Sequence, residues 1–319
     1  MDKHLKRILP ILVAILSSFT SLAQSDKQRV FTSDIDHFWQ AFDSIQSTPD
    51  SARQIGIMQS LYVEKGTAGL KAFMKSRRFD AVKLVQAVHK YPRFWECVRP
   101  GTTAIKSKQS LIEKYIEKFK VLYPDFREAK IYFTISPARA GGTTKDSLVL
   151  IGSEIAVGNS TTNVSEFPDK RLAVFFQSQR GDNIIPFSVH EYVHTQQKVE
   201  GKNLLGQSLA EGSCDFITEL VIDAKLSHSY LQYGRKHEKE LKEQFEKEMY
   251  SEDFSNWLYN GATTKTVGDL GYFMGYTICK SYYKNANDKK TALKEIIELN
   301  YSDSAMVKAF LAKSGYYKP

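Results

Sequence analysis

The sequence predicts an α+β fold that is predominantly helical, with one small β-sheet and an N-terminal helical lobe. Three observations carry this. From Ser33 to about Phe126 apolar residues recur at helical spacing, the pattern switches to strand-like alternation over Ala129–Ser136, and from Pro186 onward helical periodicity returns. With 42% apolar residues in 319, the chain can bury a large core without disulfide staples.

The first 23 residues have the layout of a secretory signal. Lys3, Lys6 and Arg7 precede an apolar run from Ile8 to Ile15, and Ser21-Leu22-Ala23 forms a small-residue site. Cleavage is expected near Ala23, giving an extracytoplasmic protein, periplasmic or secreted. The apolar run is short for a bilayer span and none longer follows, so no integral membrane span is expected after signal removal. No cysteine follows the small-residue site, which removes the acceptor that a bacterial lipoprotein needs.

Residues 24–125 form the helical lobe, punctuated at Thr48-Pro49-Asp50, Gly66, Tyr91-Pro92, Pro100-Gly101 and Tyr123-Pro124. Leu111, Ile112, Tyr115, Ile116, Phe119 and Leu122 mark one amphipathic helix within it. Residues 126–319 form the second domain. Lys130-Ile131-Tyr132-Phe133-Thr134-Ile135 reads as one strand, Ser147–Val157 holds a second apolar stretch behind the turn-rich Gly141-Gly142-Thr143-Thr144, and Leu172–Phe176 is a candidate third strand.

Charge excludes one class of partner. The formal net charge is +8, and removing residues 1–23 leaves +6, with acids interleaved among the bases as in Arg235-Lys236-His237-Glu238-Lys239-Glu240. That is a solvated helix face, so no nucleic-acid partner is expected. Cys97, Cys214 and Cys279 are too few for a disulfide framework and read as small buried side chains, with a Cys97 to Cys279 bridge as the alternative.

The chemistry sits in Pro186-Phe187-Ser188-Val189-His190-Glu191-Tyr192-Val193-His194. Histidines four residues apart on a helix face the same way and can grip one Zn²⁺ through neutral ring nitrogens. Glu191 projects beside them, placed to take a proton from metal-bound water. A third ligand is needed, and Glu200 and Gln197 stand where a metzincin would carry histidine and glycine. The better candidate is Glu211, 17 residues past His194 in Leu209-Ala210-Glu211-Gly212-Ser213-Cys214-Asp215, at the start of another helix. Asp215, one turn on, can accept the second ring N–H of a ligating histidine, while Cys214 is expected to pack inward.

His190-Glu191-Xaa-Xaa-His194 followed by Glu211-Xaa-Xaa-Xaa-Asp215 resembles the gluzincin clan of zinc peptidases, and the wider layout resembles a family of uncharacterised bacterial predicted zinc proteases. The resemblance implies a zincin-like core with His190, His194 and Glu211 on Zn²⁺, Asp215 behind a histidine, and Glu191 as general base. It also implies a tyrosine from a later helix as oxyanion donor, for which Tyr272 and Tyr276 are the candidates and His228 a lesser one. The linker Thr195–Ala210 is shorter than in the best-known gluzincins.

The leading expectation is therefore an exported zinc metallopeptidase acting on a peptide or protein substrate. The alternative keeps the scaffold and drops the chemistry: a catalytically idle zincin-fold protein that binds a partner or serves cell-envelope assembly. A third reading is zinc hydrolysis of a non-peptide amide or ester.

Overall fold

The computed structural model describes residues 28–317 apart from 169, 179–182, 262, 265 and 266. The predicted signal and its cleavage site at Ala23 lie outside the described residues.

The N-terminal half is helical because its breaks carry caps. Strand β1 (Val30–Phe31) leads into α1 (Ser33–Ile45). Asp50 accepts the backbone N–H groups of Ala52 and Arg53 at 2.8 and 3.2 Å, so the Thr48-Pro49-Asp50 break is the start of α2 (Ser51–Met58). Thr67 and Asp80 cap α3 (Ala68–Arg77) and α4 (Ala81–Lys90) in the same way. Pro92 opens α5 (Pro92–Ala104), which continues through Pro100-Gly101 where the sequence predicts a break. Burial of Trp95, Val98 and Thr102 on one face of that helix outweighs the hydrogen bond a proline forfeits. The expected amphipathic helix is α6 (Gln109–Leu122), with Ile112, Ile116 and Phe119 buried.

Among the described residues the small sheet has four strands in the order β1-β2-β4-β3. β2 (Lys130–Thr134) runs parallel to both β1 and β4 (Leu148–Gly152), with Ile131 opposite Val30 on one side and Val149 on the other. β3 (Gly142–Lys145) is antiparallel to β4 and forms an outer strand, so Thr143 and Thr144 lie in a strand and the turn falls instead at Asp146, which has φ 52°. A short helix α7 (Ser153–Ala156) follows, in which Glu154 accepts the N–H and hydroxyl of Ser136 while burial pushes its carboxyl up to about 8.

Leu172–Phe176 is not a third strand. It lies in α8 (Arg171–Ser178), where Phe176 is buried and Phe175 is 43% exposed; a short apolar run has no period of its own, and one buried face is enough for a helix. The remaining helices are α9 (Ile184–His194), α10 (Leu204–Ile222), α11 (Ser229–Glu248), α12 (Leu270–Asn285), α13 (Lys289–Ile297) and α14 (Ser304–Ser314). Residues 250–261 form turns and bends, where helix was expected. The described residues thus form a predominantly helical α+β protein with one small sheet. Among the described residues no helix is long and apolar enough to cross a membrane.

Helix α10 is the axis of this half. Every residue from Leu204 to Thr218 is buried, so Glu211 sits in the middle of a core helix and not at its head, as the sequence had suggested. α12 crosses it at near-contact distance because both helices carry glycine at the crossing: a Cβ on Gly275 would stand 1.6 Å from the carbonyl oxygen of Ser208, and one on Gly212 would stand 2.1 Å from the backbone nitrogen of Tyr276. Backbone cannot yield as a flexible side chain can. Gly275→Ala should therefore destabilise the protein by about 3 kcal/mol through overpacking, read as a lowered urea midpoint with unchanged slope; a variant of wild-type stability would show that the helices separate freely.

Candidate metal centre

Two helices build the centre. α9 presents His190 and His194 one turn apart, and α10 presents Gln207, Glu211 and Asp215 at successive four-residue steps along one buried face. Polar groups inside a core helix must find partners, and Glu211 and Asp215 find theirs in the two imidazoles of α9.

The ring nitrogens are sorted by what lies behind them. His190 Nδ1 is 2.8 Å from Asp215 Oδ1, and a carboxylate there requires the ring to carry its proton on Nδ1. His194 Nδ1 is 2.8 Å from Gln197 Oε1. The amide orientation follows from its other contact, since Gln197 Nε2 donates to the carbonyl oxygen of Ala210 at 2.8 Å. Gln197 therefore turns its oxygen to His194, which must also carry its proton on Nδ1.

Both Nε2 lone pairs then face inward. They stand 3.2 Å apart, and Glu211 Oε2 lies 3.2 Å from one and 3.5 Å from the other. Three acceptor atoms converge with no donor hydrogen among them unless a proton or a cation supplies it. A point about 1.9 Å from all three exists at the centre of this triangle, close to the roughly 2.0–2.2 Å of zinc–nitrogen and zinc–carboxylate bonds. The donor set fits a divalent zinc ion.

Electrostatics agree with the geometry. Burial opposes charging of His190, but Asp215 and Glu211 outweigh it and raise its imidazole well above the ordinary range. Burial likewise opposes charge on His194, yet the neighbouring anions raise it too. Burial would raise the Glu211 carboxyl, and the two histidines hold it well below the usual carboxylate range.

Glu191 lies beside the triangle and outside it. Its carboxylate packs against β3, where a Cβ on Gly142 would come within 3.1 Å of Oε1, and burial raises its pKa while the two histidines pull it down. Cys214 Sγ comes within 4.8 Å of a nitrogen of each histidine, but it stands 3.5 Å from Nδ1 of His194, the nitrogen turned away from Glu211, and also meets the Ala210 carbonyl. It packs behind the ring.

The two predicted tyrosines part company. Tyr272 lines the cleft, with its ring 6.3 Å from that of His190. Tyr276 is brought elsewhere: its hydroxyl donates to Glu219 at 2.5 Å and accepts from Lys280 at 2.6 Å, so that oxygen has no path to the metal triangle. His228 also faces the cleft, its imidazole lowered by burial. The cleft measures about 830 Å³ and is lined by Thr143 and Thr144 of β3, Phe187, the α9 and α10 ligands, Tyr230 and Tyr259.

Sequence reasoning missed the outer partners. Tyr230 donates to Asp215 Oδ2 at 2.8 Å, and Tyr259 donates to Glu211 Oε1 at 2.9 Å. Gln207 was within reach, being one turn before Glu211 on the same face. Tyr259 comes from a turn 48 residues downstream, and nothing local announces it. Cys97 is exposed, whereas Cys214 and Cys279 are buried; all three are free, so the alternative bridge does not form.

Removal of the carboxylate behind His190 should lower its imidazole pKa by about 1–3 pH units. In metal-free protein, the His190 ring should titrate above the ordinary histidine range, and Asp215→Asn should bring that midpoint down, as followed by NMR of the ring protons. An unmoved midpoint would mean that Asp215 is not the group that holds the ring.

Comparison with known proteins corrects the functional expectation. The model of the family described as gliding motility protein GldB matches residues 24–318. No curated protein and no solved structure matches the chain. The gluzincin assignment, and with it the reading as a zinc metallopeptidase, is overturned by this match. The reason is physical: the spacing of His190, Glu191 and His194 follows from the pitch of a helix, so it specifies a pair of ligands and not the reaction they serve. The family is one of lipoproteins, consistent with an extracytoplasmic location. Matched over nearly its whole length, the chain belongs to the gliding motility protein GldB family.

Proposed function

We propose that the chain serves cell-envelope assembly for gliding motility by holding a protein partner, with a zinc ion bound by His190, His194 and Glu211 as a fixed part of its binding cleft. The observation that carries the assembly role is the family match over residues 24–318. The metal part is supported by the 3.2–3.5 Å triangle of two ring Nε2 atoms and a carboxylate oxygen, a convergence that calls for a positive charge at its centre. The protein acts outside the cytoplasm, periplasmic or secreted after cleavage near Ala23.

The scaffold is zincin-like in this reading, with two ligands on α9 and the third on a neighbouring helix, and it is catalytically idle. Bound zinc would act as a Lewis acid and fix the two helices to each other at the floor of the cleft. His190 and His194 supply neutral nitrogens, Asp215 and Gln197 keep both rings in the required tautomer, and Glu191 is a polar wall beside them. A partner segment entering the cleft would meet Tyr230, Tyr259 and Tyr272, whose rings offer large contact area at small entropic cost.

Zinc analysis and cell motility together test this. Purified wild-type protein should carry about one zinc per chain, and His190→Ala should carry almost none. In cells lacking their own copy, Glu191→Gln should restore gliding as fully as the wild type, because the carboxylate has no proton to move. Loss of gliding with Glu191→Gln, in a protein that still folds and holds zinc, would overturn the idle-scaffold reading.

A further inference from the structure

We infer that Tyr259 is the positioning residue that makes Glu211 a one-oxygen metal ligand, and that it sets how tightly the centre holds zinc. This rests on the proposed occupancy of the triangle by zinc. The Glu211 carboxylate has two oxygens, and only Oε2 faces the histidines. Oε1 is engaged behind it, accepting from the Tyr259 hydroxyl at 2.9 Å and from Gln207 Nε2 at 3.3 Å. Gln207 Nε2 also donates to the Tyr259 oxygen at 2.7 Å, so the three groups close a ring of hydrogen bonds.

The direction of each bond is fixed by a group that can only donate. The backbone N–H of Gly201 gives its hydrogen to Gln207 Oε1 at 2.8 Å, which forces the amide nitrogen toward Glu211 and Tyr259. The Tyr259 oxygen, accepting from that amide, is left to donate its own hydrogen to Oε1. A carboxylate held in this way cannot rotate to offer both oxygens to one cation without breaking two hydrogen bonds.

The backbone at Tyr259 supports the assignment. Its φ of 58° is in the left-handed region that a bulky side chain rarely adopts, and such a conformation persists only where its surroundings hold it. Here they do so on the next residue: Asn260 N–H donates to Asp269 Oδ1 at 3.2 Å, and Asp269 N–H donates back to Asn260 Oδ1 at 2.8 Å. Tyr259 is also 61% exposed, so burial does not explain why its ring stays at this place. The hydroxyl bond to the metal ligand is what the strained turn delivers.

Zinc competition against a chromophoric chelator, with cobalt as a spectroscopic substitute, separates positioning from packing. Tyr259→Phe should bind zinc at the same stoichiometry but at least about 10-fold more weakly. Its cobalt form should lose visible absorption intensity as Glu211 turns to two-oxygen binding and the coordination number rises. Should Tyr259→Phe fail to fold, as judged by circular dichroism, Gln207→Leu, which breaks the same ring from the other side, is read by the same two criteria. Wild-type affinity with an unchanged cobalt spectrum would overturn the role of Tyr259 while leaving the metal centre intact. A wild-type protein that takes up no zinc would overturn this inference and the proposed metal centre together.

Discussion

Three lone pairs held within 3.2–3.5 Å of one another, at the interface of two buried helices, are the constraint around which this half of the molecule is arranged. Acceptors at that distance repel unless a positive charge lies between them, and each is locked in place from behind. Asp215 and Gln197 fix the rings, and Tyr259 and Gln207 fix the carboxylate. Removing one member of such a buried set would strand the charge it faced, at a cost of about 3–5 kcal/mol. The centre is therefore a structural commitment as much as a binding site.

That commitment explains the unusual character of α10. A helix buried from Leu204 to Thr218 would ordinarily be apolar on all sides, yet this one carries Gln207, Glu211 and Asp215 along a single stripe. The stripe is tolerable because α9 brings two imidazoles to meet it, while Gly212 and Gly275 let α12 close over the remaining face. The sheet contributes at one edge only, where β3 passes beside Glu191 at Gly142. Fold and site are thus coupled through one helix. The family to which the chain belongs is described as gliding motility protein GldB.

Much of this was legible in the amino-acid sequence, for identifiable reasons. His190 with His194, and Glu211 with Asp215, could each be paired because helical pitch fixes which residues share a face; joining the two pairs rested on the resemblance to the gluzincin motifs, and the structure brings all four residues together. The helices between residues 51 and 90 were legible because Asp50, Thr67 and Asp80 are strong caps beside apolar periodic runs. What failed was whatever depended on tertiary context. Leu172–Phe176 became a helix, Thr143 and Thr144 became an outer strand, and Tyr276 turned to Glu219 and Lys280, away from the cleft. Tyr259 could not be found at all, since its role arises from a turn with positive φ. The reaction class was the deepest miss, because ligand spacing reports the geometry of a helix and is silent on use.

X-ray absorption at the zinc edge, on protein purified without added metal, reads which atoms surround the ion between α9 and α10. Zinc held by His190, His194 and Glu211 should show a first shell of light atoms only, at about 2.0–2.1 Å, with the outer-ring scattering of two imidazoles. A sulfur scatterer at about 2.3 Å would place Cys214 on the metal in place of the carboxylate and contradict the arrangement described.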